Sequence, residues 1–296
     1  MSILTTLRFI STHPLNRTHR ASALLGFVKW QLGSRLVCGP VAYSWIGDTR
    51  FLVSRGETGL TGNIYCGLVE FEDMAYVLHT VSREDLFVDV GANAGSYTLL
   101  ACGVKNARGI CIEPVPQTYR RLLDNLRLND LLELVSAFNL GVAGNEGELL
   151  FTTSEDCTNH VLAKHDSAVE SLRVAVQPLD KLLEGISPTL IKIDVEGYEQ
   201  PVLEGAHATL TKESLHSVIM ELNGSGQRYG FCEDVILDRM KQYGFSTFSY
   251  DPLTRSLTPL HGKNSLSGNT LFIRGEERIR DKLHTAPPVK IGSIIL

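Results

Sequence analysis

No acidic residue precedes Asp48, although residues 1–47 carry five bases: Arg8, Arg17, Arg20, Lys29 and Arg35. The rest of the 296-residue chain holds 23 bases against 33 acids, so a net charge of −5 conceals a basic head on an acidic body. An acidic body lacks the electrostatic footprint of a nucleic-acid-binding domain. Long apolar runs are also missing. The longest charge-free stretch, Val90–Val104, has fifteen residues with three glycines and an asparagine. A spanning helix needs about 20 apolar residues, so no transmembrane segment is expected. The start has no apolar core followed by a small-residue cleavage site, which argues against a secretory signal and leaves only a faint likeness to an organelle transit peptide. None of the six cysteines (Cys38, Cys66, Cys102, Cys111, Cys157, Cys232) forms a CxxC pair. Zinc ribbons and redox dithiols are thereby excluded, and buried thiols in a reducing, cytoplasmic compartment are expected. No repeat of 20–50 residues is visible.

What is present is alternation. Apolar strands are expected at Leu86–Val90, Gly109–Ile112, Glu133–Phe138, Leu190–Val195, Ser217–Leu222, Phe245–Tyr250 and Thr270–Arg274. Helical patterns fall at Phe71–Thr80, Ser96–Val104, Gln117–Leu128, Glu199–Leu210 and Glu233–Tyr243. Strands alternating with helices predict an α/β fold: a mostly parallel seven-stranded sheet with helices on both faces, Rossmann-like. Glu148–Thr153 and Leu172–Val176 read as an excursion hairpin. Residues 1–80 are expected to form an N-terminal helical and β extension, 81–275 the main domain, and 276–296 a peripheral tail. In the extension, Ala21–Leu36 carries Leu25, Val28, Leu32 and Leu36 at helical spacing, with Lys29 and Arg35 off that stripe. The simpler expectation is that the stripe packs on the main domain. The other is a basic amphipathic helix that meets an anionic membrane or partner, giving peripheral membrane contact through residues 1–36.

Two segments carry chemistry. In Phe87-Val-Asp-Val-Gly-Ala-Asn-Ala-Gly-Ser-Tyr97 a strand runs through Gly91-x-Asn93-x-Gly95 into a helix. Glycines let the backbone turn tightly against a ligand, and the helix start presents free N–H groups. Asp89 at the strand end can accept from a ligand amine. Glu113 ends the next strand, where an acid holds ribose hydroxyls. A dinucleotide site would want a third glycine where Ser96 stands, to seat a pyrophosphate. An NAD-dependent oxidoreductase is therefore disfavoured, and a ligand with a ribose and no pyrophosphate points to S-adenosylmethionine. The second segment is Leu190-Ile-Lys-Ile-Asp-Val-Glu-Gly-Tyr-Glu199. Its buried strand delivers Asp194 and Glu196 to the carboxyl end, where open α/β sheets bind ligands. The structural alternatives are a plain glycine turn for the first segment and ordinary helix capping for the second.

The chain resembles the FkbM-type S-adenosylmethionine-dependent methyltransferases over about residues 65–275. The likeness rests on Val88-Asp-Val-Gly-Ala-Asn-Ala-Gly95, on Ile112-Glu-Pro-Val-Pro116 with Asn125 and Asn129, and on Ile191-Lys-Ile-Asp-Val-Glu-Gly197 with Val202-Leu-Glu-Gly-Ala206. Gly67-Leu-Val-Glu-Phe-Glu-Asp-Met74 adds the family's acidic lead-in. The resemblance implies a class I methyltransferase fold and an O-methyltransferase acting on a small molecule, a glycan or glycolipid sugar, or a polyketide. It implies that Asp89, Gly91, Asn93 and Gly95 contact the methionine part of the cofactor, that Glu113 holds the ribose, and that Asn139 lies near the adenine.

An aliphatic hydroxyl is a poor nucleophile and needs a base or a metal. Asp194 and Glu196 are the candidate bases. Glu221 and Asn223, ending the next strand, could join Asp194 in an all-oxygen Mg²⁺ site, although roles as ordinary loop residues are the simpler reading. His160 and His165 in the excursion are further candidate bases. A nucleic-acid methyltransferase would want an Asn/Asp-Pro-Pro-aromatic run after the fourth strand, and this chain has Asp194-Val-Glu-Gly there. The remaining alternatives are a non-catalytic module of the same fold and a methyltransferase acting on another acceptor such as protein.

Overall fold

The computed structural model describes residues 3–153, 158–163 and 170–296. Its centre is an eight-stranded sheet. The strands are β3 (Leu86–Val90), β4 (Arg108–Ile112), β5 (Val135–Phe138), β9 (Leu190–Ile193), β10 (Ser217–Glu221), β11 (Ser246–Asp251), β12 (Ser256–Pro259) and β13 (Asn269–Ile273), in the order β12-β11-β13-β10-β9-β3-β4-β5. The five strands β5, β4, β3, β9 and β10 run parallel, and β13, β11 and β12 continue antiparallel. The seven expected strands are all present. The eighth, β12, is a short edge strand whose Ser-Leu-Thr-Pro lacks any strong apolar signal.

The period of two explains the layers. Leu86, Val88 and Val90 of β3, Ile191 and Ile193 of β9, and Val218 and Met220 of β10 face one core. That core is closed by α7 (Leu179–Leu182), α8 (Glu199–Glu204), α9 (His207–Leu210) and α10 (Glu233–Gln242). Phe87, Leu190, Ile219, Leu271 and Ile273 face the other core. That one is closed by α4 (Phe71–Thr80), α5 (Ser96–Thr98) with its wider π turn Leu99–Val104, α6 (Pro116–Leu128) and α11 (Glu276–Thr285). The helix expected over Glu199–Leu210 is two short helices. Gly205 lies between them, and a Cβ there would stand 2.3 Å from the Ala143 carbonyl oxygen. The tail is not peripheral. Ile279 and Leu283 are fully buried in the core, and Lys282 Nζ donates to the Thr80 carbonyl and to Asp85. The 276–296 sequence hid this because α11 is mostly charged, with few apolar positions.

A separate three-stranded sheet, β6 (Gly141–Val142), β7 (Gly147–Thr152) and β8 (Ser171–Gln177), forms the expected excursion. At the N-terminus, α1 (Ile3–Thr12), α2 (Arg20–Gly33), the hairpin β1 (Val41–Ser44) with β2 (Arg50–Val53), and α3 (Thr58–Cys66) lie against the body. The motif asparagines tie these parts together. Asn125 Nδ2 donates to the Ala94 carbonyl in the glycine turn, and its Oδ1 accepts from Leu52 N–H. Asn129 brackets Arg50 in the same way. The helix at 20–33 packs by Ala23, Leu24, Phe27 and Trp30 around Tyr65 and Ile10. The Leu25, Val28, Leu32 and Leu36 stripe, expected to face the body, faces outward instead. Two apolar faces on one helix made the sequence ambiguous. No described helix is long and apolar enough to cross a membrane.

Candidate active site

The chain leaves β3 for β4 and β5 on one side, then returns to β9 on the other. The crevice at the carboxyl ends of β3 and β9 is the switch point where open α/β sheets bind ligands. A cavity of about 290 Å³ lies there. Its two halves differ in character.

The first half is built from the glycine turn. Gly91 adopts φ +79°, and a Cβ there would lie 1.8 Å from the Asp194 carbonyl oxygen. The glycine therefore lets the ends of β3 and β9 touch. Gly95, at φ +90°, makes room for Leu122 and does not line the cavity. Asn93 sits in the left-handed region at φ +50°. Its N–H donates to Glu113 Oε2, and Val115 N–H donates to Oε1. Two backbone N–H hydrogen bonds thus fix the Glu113 carboxyl in the cavity wall. Burial raises its pKa to about 7, partly offset by those amides. Asp89 lines the same wall, but its Oδ2 already accepts from Thr98 N–H and Oγ1. Burial raises its pKa, and the nearby Lys192 charge opposes the rise. Ile112, Leu140 and Val142 add an apolar surface. A positive-φ turn, an acid for a diol and an apolar slot fit a nucleoside that carries an amino-acid arm. Asn139 is exposed. Its Nδ2 donates to the Glu113 and Pro114 carbonyls, and it stands outside the cavity lining.

The second half is acidic. Asp194, Glu196 and Glu221 each bring a carboxylate oxygen within 4.8 Å of the others. Asn223 is exposed and outside the cavity lining, with Oδ1 accepting from Ser225 N–H. Of the suggested Mg²⁺ ligands, Asp194 and Glu221 share the cavity lining with Glu196, and Asn223 is not part of that lining. Burial and the Asp194 charge raise Glu196 to about 7. The same two causes push Glu221 well above the carboxylate range, and its Oε2 is buried with no hydrogen-bond partner among the described residues. Acids this close either share protons or surround a hard cation. Glu199 Oε1 accepts from Val195 and Gly197 N–H and so holds the turn that carries Glu196.

Lys192 was overlooked at the sequence level. It lies inside an apolar strand, only 3% exposed, beside Asp89 in the register. Its Nζ stands 2.5 Å from Asp194 Oδ2 and 4.6 Å from the centre of the Tyr97 ring. Burial works against its charge, but Asp194, Glu70 and Asp89 outweigh burial and keep it protonated. A lysine amid Leu190, Ile191 and Ile193 is costly to bury unless it is paired, and that was the available signal. Glu70 and Asp73 of the α4 region were missed too. Both accept from Asn269 Nδ2, and Glu70 lines the cavity. His160 lies outside the lining, with Nδ1 against the Thr158 carbonyl. His165 and Cys157 fall outside the described residues.

The sequence profile of the methyltransferase FkbM domain matches residues 89–247. The chain belongs to that family. Among curated relatives, hexuronic acid methyltransferase AglP of Haloferax volcanii is 29% identical over 151 residues, 50% of this chain and 59% of that protein. Methyltransferase sdnD of Sordaria araneosa is 34% identical over 83 residues, 28% and 32% of the two chains. The chain thus spans less than two thirds of the length of either relative. Among solved structures, precorrin-6y C5,15-methyltransferase of Geobacter metallireducens matches at 10% identity and TM-score 0.42, covering 75% of this chain and 92% of that one.

The buried acids of this FkbM-domain protein have a consequence for stability. Burial raises Glu113 and Glu199 from 4.5 to about 7 in the folded state. Between those values the folded chain binds more protons than the unfolded chain. Stability therefore falls as pH rises through the window, and the penalty is complete above about 7. The thermal midpoint should be about 5–10 °C higher at the acidic end than at the alkaline end. Glu113→Gln should remove part of that slope. Calorimetric melts across the window check this, and a pH-independent midpoint would contradict it.

Proposed function

We propose that this protein transfers the methyl group of S-adenosylmethionine to a hydroxyl of a sugar, in a glycan or glycolipid, or of a polyketide-like metabolite. One observation carries the reading: the turn-and-acid half of the cavity opens directly into the Asp194, Glu196 and Glu221 half. Family membership and a relative named for a hexuronic acid support it. The reaction is assigned to the cytoplasm, where the buried free thiols of Cys66, Cys102 and Cys111 would stay reduced.

When bound, the cofactor supplies an electrophilic methyl on a sulfonium. Glu113 would accept from its ribose hydroxyls, and the backbone of Gly91 to Asn93 would meet its methionine arm. Alignment of the acceptor oxygen with that methyl supplies much of the rate. Glu196 would take the proton of the acceptor hydroxyl. With its pKa near 7 it is ionised often enough to act and basic enough to receive. Asp194, held by Lys192, would orient the acceptor, and protonated Glu221 would donate a hydrogen bond to it. Tyr198, also in the lining, offers a ring against the apolar face of a sugar.

Titration calorimetry with S-adenosylmethionine tests the binding half. The wild-type protein should bind, and Glu113→Ala should bind about 10–100-fold more weakly through loss of charged hydrogen bonds. No binding by the wild-type protein would overturn the reading. Transfer of labelled methyl into glycan and lipid extracts separates an enzyme from a silent module.

A further inference from the structure

We propose that the outer face of α2 docks the protein on an anionic lipid bilayer. The inner face of α2 is accounted for: Ala23, Leu24, Phe27 and Trp30 pack around Tyr65 and Ile10, and Gln31 Nε2 donates to the Tyr65 hydroxyl. The outer face carries Leu25, Val28 and Leu32, continued past the helix by Leu36 and Val37. Leu25 is 53% exposed, Leu32 62% and Leu36 86%. A helix that is apolar on both sides is ordinarily covered on both. A contiguous apolar row on the surface marks an interaction site rather than chance exposure. The neighbouring α1 adds Ile3, Leu4 and Phe9, all exposed.

Charge identifies the occupant. Lys29 and Arg35 flank the row, Arg8, Arg17 and Arg20 lie on the same two helices and their junction, and all five are exposed. Residues 1–47 contain no acid to neutralise them. A second copy of this face would set Lys29 and Arg35 against like charges, with no carboxylate from residues 1–47 to pair them. An anionic headgroup layer gives the bases partners and lets the leucines reach the acyl boundary, as interfacial amphipathic helices do. Each basic side chain near such a surface strengthens partitioning about fivefold. The helix α3, against which α2 packs, also lends Gly59 and Leu60 to the cavity wall. The docked face would therefore lie one helix away from the cavity. The inference does not depend on the reaction proposed above.

Vesicle co-sedimentation of the full chain tests it, with phosphatidylcholine mixed with phosphatidylglycerol set against pure phosphatidylcholine. The wild-type protein should bind the anionic vesicles, less so as salt rises, and leave the neutral ones. Lys29→Ala with Arg35→Ala should weaken binding about thirtyfold. Leu25→Ser with Leu32→Ser should weaken it by about tenfold or more. Both variants should melt close to the wild-type protein, because all four side chains are exposed. Absence of binding, equal binding to neutral vesicles, or binding unchanged in either variant would overturn the proposal. So would a homodimer in sedimentation that Leu32→Ser dissolves, since a second copy would then cover the face.

Discussion

Glu196→Gln is expected to lower methyl-transfer turnover by about 10²–10⁴-fold, the usual contribution of a general base, while S-adenosylmethionine still binds. The backbone supports the assignment. Glu196 sits at φ +53°, a left-handed conformation that non-glycine residues rarely adopt. Such strain persists only where the surroundings fix it. Here Gly197 follows at φ +99°, and a Cβ on it would stand 2.6 Å from the Ser225 carbonyl carbon. Glu199 clamps the amides on both sides of Glu196. The turn therefore delivers the carboxyl into the cavity beside Asp194 and Glu221. Burial and then Asp194 raise its pKa to about 7. A base must be ionised to act, so the wild-type rate should climb with pH through about 7 and level off above it. The Gln variant should lose that step as well as the rate. Labelled-methyl transfer into a glycan or lipid extract, followed against pH, reads both. Full turnover with the step retained would move the base to Asp194. Turnover abolished by a chelator would mean that the three acids surround a cation instead of sharing protons.

Much of the fold was legible because it follows from periodicity. Leu86–Val90 and Phe71–Thr80 have the expected ends, and alternation of strand and helix implied the parallel sheet. The turn-and-acid half of the cavity was legible through local chemistry: a glycine turn after one strand and an acid after the next lie within 22 residues. What escaped reading depended on contacts between distant segments. Asn139 follows its strand, and its Nδ2 donates back to the carbonyls of Glu113 and Pro114, more than twenty residues earlier. The two faces of α2 are equally apolar in sequence, and only Tyr65, more than thirty residues on, decides which turns inward. The acidic pocket joins Glu70, Asp194 and Glu221 from three elements far apart in sequence. Gly91 was read as room for a ligand. The nearest atom to its missing side chain is the Asp194 carbonyl oxygen, so the same glycine also brings the two motifs into contact.

Lys192→Met should show how strongly that acidic pocket depends on one cation. The substitution keeps the length of the side chain and removes its charge. Asp194 would lose the partner 2.5 Å away, and Asp89, 1% exposed, would lose its neighbouring positive charge. Removing one member of a buried ion pair costs about 3–5 kcal/mol, because the remaining charge is uncompensated. For a chain of this size that lowers the thermal midpoint by about 5–8 °C. The loss should be larger at alkaline pH, where the buried acids ionise, and smaller at acidic pH, where protons replace the lysine. Adding Asp194→Asn to Lys192→Met should recover part of the loss, since no ionised Asp194 then remains to be neutralised. This coupling separates a charge effect from mere packing. If the strand only needed a long side chain at this position, methionine would restore it, the single variant would melt near the wild type at every pH, and Asp194→Asn would add its own cost.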